Sequence, residues 1–126
     1  NEIIKKKRFI GDFYFKNFIN NKNILIQPRE ISYAKNIYWI YGIVLKKNSL
    51  KYKTEVQKKL LKYGIETRPF FWPMHKQDIF KKLKLFKNEK YPISEYLSNS
   101  GFYIPSSIDL TKNQLKYIVD TINFII

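Results

Sequence analysis

The run IYWIYGIVL, residues 37–45, is a nearly unbroken apolar stretch rich in β-branched and aromatic side chains. It is far shorter than the roughly 20 apolar residues that cross a bilayer. An unalternating apolar run of this length predicts a central strand buried on both faces. The rest of the chain is read by how it would cover that strand.

Upstream, Ile10, Phe13, Tyr14 and Phe18 recur at spacings of three and four between lysines, predicting a helix over 3–19. Gly11 inside it costs about 1 kcal/mol relative to alanine and is expected to mark close packing. Asn20 to Asn23 ends the helix, and Ile24-Leu25-Ile26 starts an extended segment stopped by Pro28. Downstream, Tyr52, Val56, Leu60 and Tyr63 share one face of a helix over 50–63, with Glu55 four before Lys59 and Gly64 as its C-terminal cap. A strand over 65–68 follows. Ile79, Phe80 and Leu83 predict a short helix. Another starts with Pro92 at its first position, turns Ile93, Tyr96 and Leu97 inward and closes at Gly101. Phe102-Tyr103-Ile104 is a short strand ended by Pro105. Thr111 and Gln114 then form a capping box, with Leu110 and Leu115 as its hydrophobic staple. Leu115, Ile118, Val119 and Ile122 give the last helix its buried stripe. The order predicts an α+β fold, a small and mostly antiparallel sheet covered by helices, in one domain over 1–126.

With 126 residues, 44% hydrophobic and 17% aromatic, the chain has room for one real core and is too apolar to be disordered. No secretion signal follows the basic N-terminus, and cytoplasmic residence is the simplest expectation. The absence of an initiator Met raises the expectation of a longer protein. Cysteine is absent, which removes disulfides and thiolate chemistry. A net charge of +14 raises the question of polyanions. That charge is almost all lysine, scattered through every segment, with arginine only at positions 8, 29 and 68. Base readout and bidentate phosphate contact favour arginine. A solvated surface is therefore preferred over a specific nucleic-acid reader. The rival remains a stand-alone basic module for nucleic acid or an anionic surface, or an interaction domain without catalysis.

Catalytic equipment is sparse. A single histidine cannot build a His-based metal site, no G-x-S-x-G elbow is present, and the four glycines form no phosphate loop. The exception is RPFFWPMH, residues 68–75. Pro69 and Pro73 fix φ at two places, so the segment is stiff without a sheet ladder. It can present Arg68 to a phosphate or carboxylate, Trp72 as a flat face and His75 as a hydrogen-bonding ring, with Asp78 three residues on to orient it. The competing reading is structural: Phe70, Phe71 and Met74 plug a gap between helices, and His75 caps the helix that follows.

The longer run YGIETRPFFWPMH, residues 63–75, resembles a signature of the DegT-type, or StrS-like, nucleotide-sugar aminotransferases, and its Thr-Arg-Pro-Phe-Phe resembles the perosamine synthase branch in particular. Matches in the same order run the length of the chain. The Lys-Lys-Lys-Arg helix is similar to the one linking the family's large and small domains, and Tyr38 to Ile43 to the strand that follows. Tyr91-Pro92 with Glu95, Leu97 and Ser98, then Gly101 to Ser106 and Asp109-Leu110-Thr111, resemble later family segments.

The resemblance implies the C-terminal small domain of a fold-type I, PLP-dependent enzyme. That enzyme would move an amino group, typically from glutamate, to a nucleotide-linked keto-deoxysugar. It also implies that the PLP lysine and phosphate site lie in a large domain outside this chain, so no lysine here is expected to bind PLP and the domain alone is expected to be inactive. Arg68, Phe71, Trp72 and His75 would face the sugar-nucleotide cleft, with Tyr103 beside them. Trp72 stands where relatives more often carry tyrosine. The expected partners are the chain's own large domain and a second copy in a homodimer, with no membrane.

Overall fold

The computed structural model describes residues 2–28 and 30–126, so Asn1 and Arg29 lie outside the described residues. The predicted central strand is present but shorter than the apolar run: β4 spans Tyr41–Leu45, and all five of its residues are buried. Residues 37–40 leave the ladder because Tyr38 adopts a φ of +48°, a left-handed conformation that is costly for a bulky residue. Asn36 Oδ1 accepts from the Tyr38 N–H at 2.8 Å and helps hold that turn. The Tyr38 ring lies on Gly11, where an added Cβ would stand 2.4 Å from it. Gly11 thus marks the close approach its position implied, within α1, Glu2–Phe18.

The main sheet is antiparallel in the order β1-β4-β6-β5, with β1 at Ile24–Ile26, β5 at Arg68–Pro69 and β6 at Gly101–Ile104. The strand expected over 65–68 begins only at Arg68. Pro69 sits on the edge strand, where a missing N–H costs no ladder bond. A separate two-stranded hairpin, β2 at Glu30–Ile31 and β3 at Ala34–Lys35, was not expected from the sequence.

Tyr41, Ile43 and Leu45 of β4 join Phe102 and Ile104 of β6 in the core. Opposite them lie Ile10, Tyr14 and Phe18 of α1, Val56 and Leu60 of α2 (Leu50–Lys62), and Leu115, Ile118, Val119 and Ile122 of α5 (Lys112–Ile125). Each such side chain contributes about 1.5–3 kcal/mol on burial. The caps follow the sequence. Thr111 and Gln114 make the reciprocal capping box of α5. Gly64, at φ +72°, closes α2 with its N–H on Leu61 O while Ile65 N–H reaches Leu60 O, the two bonds of a Schellman motif.

The sheet's other face carries Gly42, paired with Tyr103, and Gly101, paired with Val44. An added Cβ would stand 2.8 Å from the Phe70 ring at Gly42 and 2.4 Å from it at Gly101. Two missing side chains therefore let the Phe70 ring lie against the sheet, tilted 31° to the Tyr103 ring with centroids 4.7 Å apart.

Between β5 and α4 (Pro92–Ser100) the chain makes an excursion through a 3₁₀ turn, Met74–Lys76, and α3, Asp78–Lys82. Ile93 and Leu97 of α4, expected inward, are exposed, whereas Ser98 and Ser100 are buried. Buried Lys53 explains part of that rotation: its Nζ donates to Ser98 O at 2.6 Å and ties α2 to α4. The Tyr96 hydroxyl donates to Leu45 O at 3.0 Å. Among the described residues no helix is long and apolar enough to cross a membrane.

Candidate functional site

A hollow of about 680 Å³ opens at the β5 edge of the main sheet. Tyr103 and Ile104 form its floor. Arg68, Pro69, Glu66 and Phe71 line one side, and Trp39 with Ile40 the other; Pro105, Ser106 and Ser107 complete the rim. The local sequence builds it directly. Phe70 occupies the glycine floor and fixes the direction in which the chain leaves β5. Phe71, the next residue, then points to solvent with 75% of its surface exposed and meets Tyr103 edge-on at 6.2 Å. Trp39, in the turn before β4, is 68% exposed. Two largely exposed aromatic side chains and a phenol make an apolar surface suited to a flat or ring-shaped ligand.

Arg68 is the cation among the described residues lining the hollow, and it donates through Nη2 to Glu66 Oε1 at 3.0 Å. Both side chains are largely exposed, so the pair is weak and open to exchange with a ligand anion. Burial raises the Tyr103 hydroxyl pKa above its usual value near 10, keeping the phenol a neutral donor. Behind the rim, Lys7 of α1 donates through Nζ to Trp39 O at 2.8 Å and to Ser106 O at 2.6 Å. Burial lowers the Lys7 pKa from 10.5.

The structure thus brings together Arg68, Phe71 and Tyr103 of the five residues singled out from the sequence. Trp72 and His75 lie outside this hollow. Trp72 Nε1 donates to Lys76 O at 3.1 Å, and the Lys76 ammonium sits over its ring. His75 has a side chain only 13% exposed; its Nε2 is 3.1 Å from Glu95 Oε1, and its ring lies 4.8 Å from that of Tyr91, tilted by 33°. Lys76 Nζ donates to the other Glu95 oxygen at 2.6 Å. Hydrogen bonds from Lys76 first, then His75, hold the Glu95 carboxyl below its usual value near 4.5.

His75 therefore pins the excursion to α4; it does not cap the next helix, and its partner is Glu95 rather than Asp78. Gln77, at ψ 138°, interrupts the helical path between His75 and Asp78, and Asp78 pairs instead with Lys81 at 3.4 Å. The plugging role fits Phe70 alone, since Phe71 and Met74 are exposed. Glu66, Trp39, Ser106 and Ser107 were missed by the sequence reading. Glu66 had a local signal, since it stands two residues before Arg68, the spacing that aligns side chains along extended backbone. Among the described residues no group of three or more histidines and carboxylates could hold a metal.

The architecture defines an α+β domain whose exposed sheet edge carries an aromatic hollow with a guanidinium at its mouth. Residues 1–123 match the DegT/DnrJ/EryC1/StrS aminotransferase family, and the chain belongs to that family. It is 32% identical over 123 residues to a GDP-perosamine synthase of Escherichia coli O157:H7, covering 97% of this chain and 31% of that protein. A GDP-perosamine synthase of Vibrio cholerae is 27% identical over 125 residues, covering 96% and 32%. Among solved structures, the Helicobacter pylori aminotransferase PseC, involved in the biosynthesis of pseudoaminic acid, superposes with a TM-score of 0.83 at 16% identity, covering 97% of this chain and 32% of that one. The chain spans about a third of the length of the relatives it matches.

Proposed function

We propose that the chain is the C-terminal, substrate-cleft domain of a PLP-dependent enzyme that transfers an amino group from glutamate to a keto group on a nucleotide-linked deoxysugar. The observation that carries this reading is the open hollow, whose exposed aromatic walls and exchangeable Arg68 suit a diphosphate-linked ring. In this reading Arg68 holds a phosphate oxygen with its planar fork. Phe71, Trp39 and Tyr103 pack on the base or the sugar, and the Tyr103 hydroxyl donates to it. Trp72 and His75 support that wall from behind.

The residues of the hollow do not fit PLP itself. Among the described residues no lysine lines it to bond the cofactor's aldehyde, and Lys7, behind its rim, is committed to two backbone carbonyls. The amino-transfer chemistry is accordingly assigned to a cofactor held by a large domain, and this domain closes the cleft, as part of a cytoplasmic homodimer. The nucleotide-sugar class is taken from the named relatives and the chemistry of the hollow together.

A chimera tests the proposal. The matched third of the E. coli GDP-perosamine synthase is replaced by this chain, and amino transfer from glutamate is assayed. The expected result is activity that falls about tenfold or more in kcat/KM with Arg68→Ala, the scale of one lost charge-assisted contact. The chain alone, given PLP, should keep no stoichiometric cofactor band after dialysis. A folded chimera indifferent to Arg68→Ala, or a retained band, contradicts the proposal.

A further inference from the structure

Helix α1 reaches the hollow from outside it. Besides the two bonds from Lys7, the Tyr14 hydroxyl donates to Pro105 O at 2.7 Å. The three carbonyls so held belong to Trp39, Pro105 and Ser106, all residues of the hollow. The contacts span 32, 91 and 99 residues of sequence, so no local turn imposes them. Trp39 and Ser106 lie outside the strands, where no ladder bond fixes their carbonyls. The Trp39 ring is largely exposed. The β4–β6 ladder ends at Tyr41 and Ile104, two residues short of Trp39 and Ser106, and past that point one ammonium, partly withdrawn from water, ties the two rims.

We propose that Lys7 is a positioning residue for the ligand: its ammonium ties the Trp39 turn to the Ser106 segment and so sets the width of the gap the ligand enters. Lys7 touches no ligand in this scheme. The inference rests on the reading of the hollow as the nucleotide-sugar site. Tyr14 keeps Pro105 in place when Lys7 is lost, so removing the ammonium loosens the rim while the core stays packed.

The chain contains no cysteine, so Lys7→Cys introduces a single thiol. Alkylation with 2-bromoethylamine rebuilds a lysine analogue at that position; iodoacetamide caps the same thiol with a neutral group. The probe is GDP-mannose, titrated calorimetrically into the full chain, with thermal unfolding followed in parallel. The carbamidomethyl form is expected to bind about tenfold more weakly than the unsubstituted chain, and the aminoethyl form to return to within about twofold. Unfolding midpoints of the two alkylated forms should agree. Lys7→Met provides a second route: the Ile40 and Ser107 amide shifts, next to the released carbonyls, should move while those of Leu115 and Ile118 stay. Equal affinity of the two alkylated forms overturns the inference and leaves the reading of the hollow standing. Global unfolding of the uncharged forms also overturns it, since it marks Lys7 as a core support. Failure of the unsubstituted chain to bind overturns the reading of the hollow, and the inference with it.

Discussion

Arg68 and Glu66 meet at 3.0 Å with side chains 78% and 70% exposed. An exposed pair of this kind is worth about 0–1 kcal/mol, less than a guanidinium gains from two phosphate oxygens. The pair is therefore a resting state that a ligand displaces, and Glu66 competes with the ligand. Glu66→Gln is expected to tighten GDP binding about two- to fivefold, and Arg68→Ala to weaken it about tenfold. Neither change should move stability by more than about 0.5 kcal/mol, because both sites are exposed. Calorimetric titration near 0.15 M salt checks this, since screening there suppresses the general attraction of a +14 chain for anions. Equal affinity of the Arg68→Ala variant and the unsubstituted chain would assign binding to net charge.

Elements whose signals are local were readable from the sequence. The capping box of α5 and the Gly64 cap of α2 each depend on residues within a few positions, and both formed as written. The apolar run at 37–45 was readable as a buried strand only from Tyr41 onward. Hydrophobicity alone cannot show that Tyr38 turns left-handed to cover Gly11. The hairpin of β2 and β3 has two residues per strand, too few for a period to register. The link from His75 to Glu95 crosses 20 residues, whereas Asp78 was the acid nearby in sequence.

That link makes a prediction for the excursion. The Glu95 carboxyl is held below its usual value in the folded chain, so its contribution is present above about pH 4.5 and lost as pH falls through the depressed value. Glu95→Gln should speed amide exchange of Met74 to Lys76 at neutral pH without affecting Leu115 or Ile118. The difference from the unsubstituted chain should shrink as the pH falls below about 4.5 and vanish once Glu95 is protonated. Exchange unchanged at neutral pH would mean that Pro73 and the His75–Tyr91 ring contact hold the excursion unaided.

At the scale of the molecule, the α+β class and the sheet's helical cover were legible because periodicity, caps and turn residues agree with one another. The site was legible only in part. RPFFWPMH contributes Arg68, Pro69 and Phe71 to the hollow, but its two ends are placed differently. Arg68 and Phe71 face the hollow, while Trp72 and His75 bind the chain back on itself. What divides them is Phe70 and its two glycines, one on β4 and one at the start of β6, a three-dimensional arrangement invisible in a linear motif. Of the hollow's other members, Tyr103 and Ile104 stand on β6, while the Trp39 turn and the Pro105-Ser106 segment are tied to α1 through Lys7 and Tyr14.

The most direct test of the central claim is amide shift mapping of the chain titrated with GDP-mannose. The hollow, if it is the nucleotide-sugar site, predicts perturbations gathered at Trp39, Ile40, Glu66, Arg68, Phe71, Tyr103, Ser106 and Ser107, with His75, Lys76 and Glu95 unmoved. Perturbations centred on Trp72 to Lys76, or spread evenly over the lysine-rich surface, would contradict it.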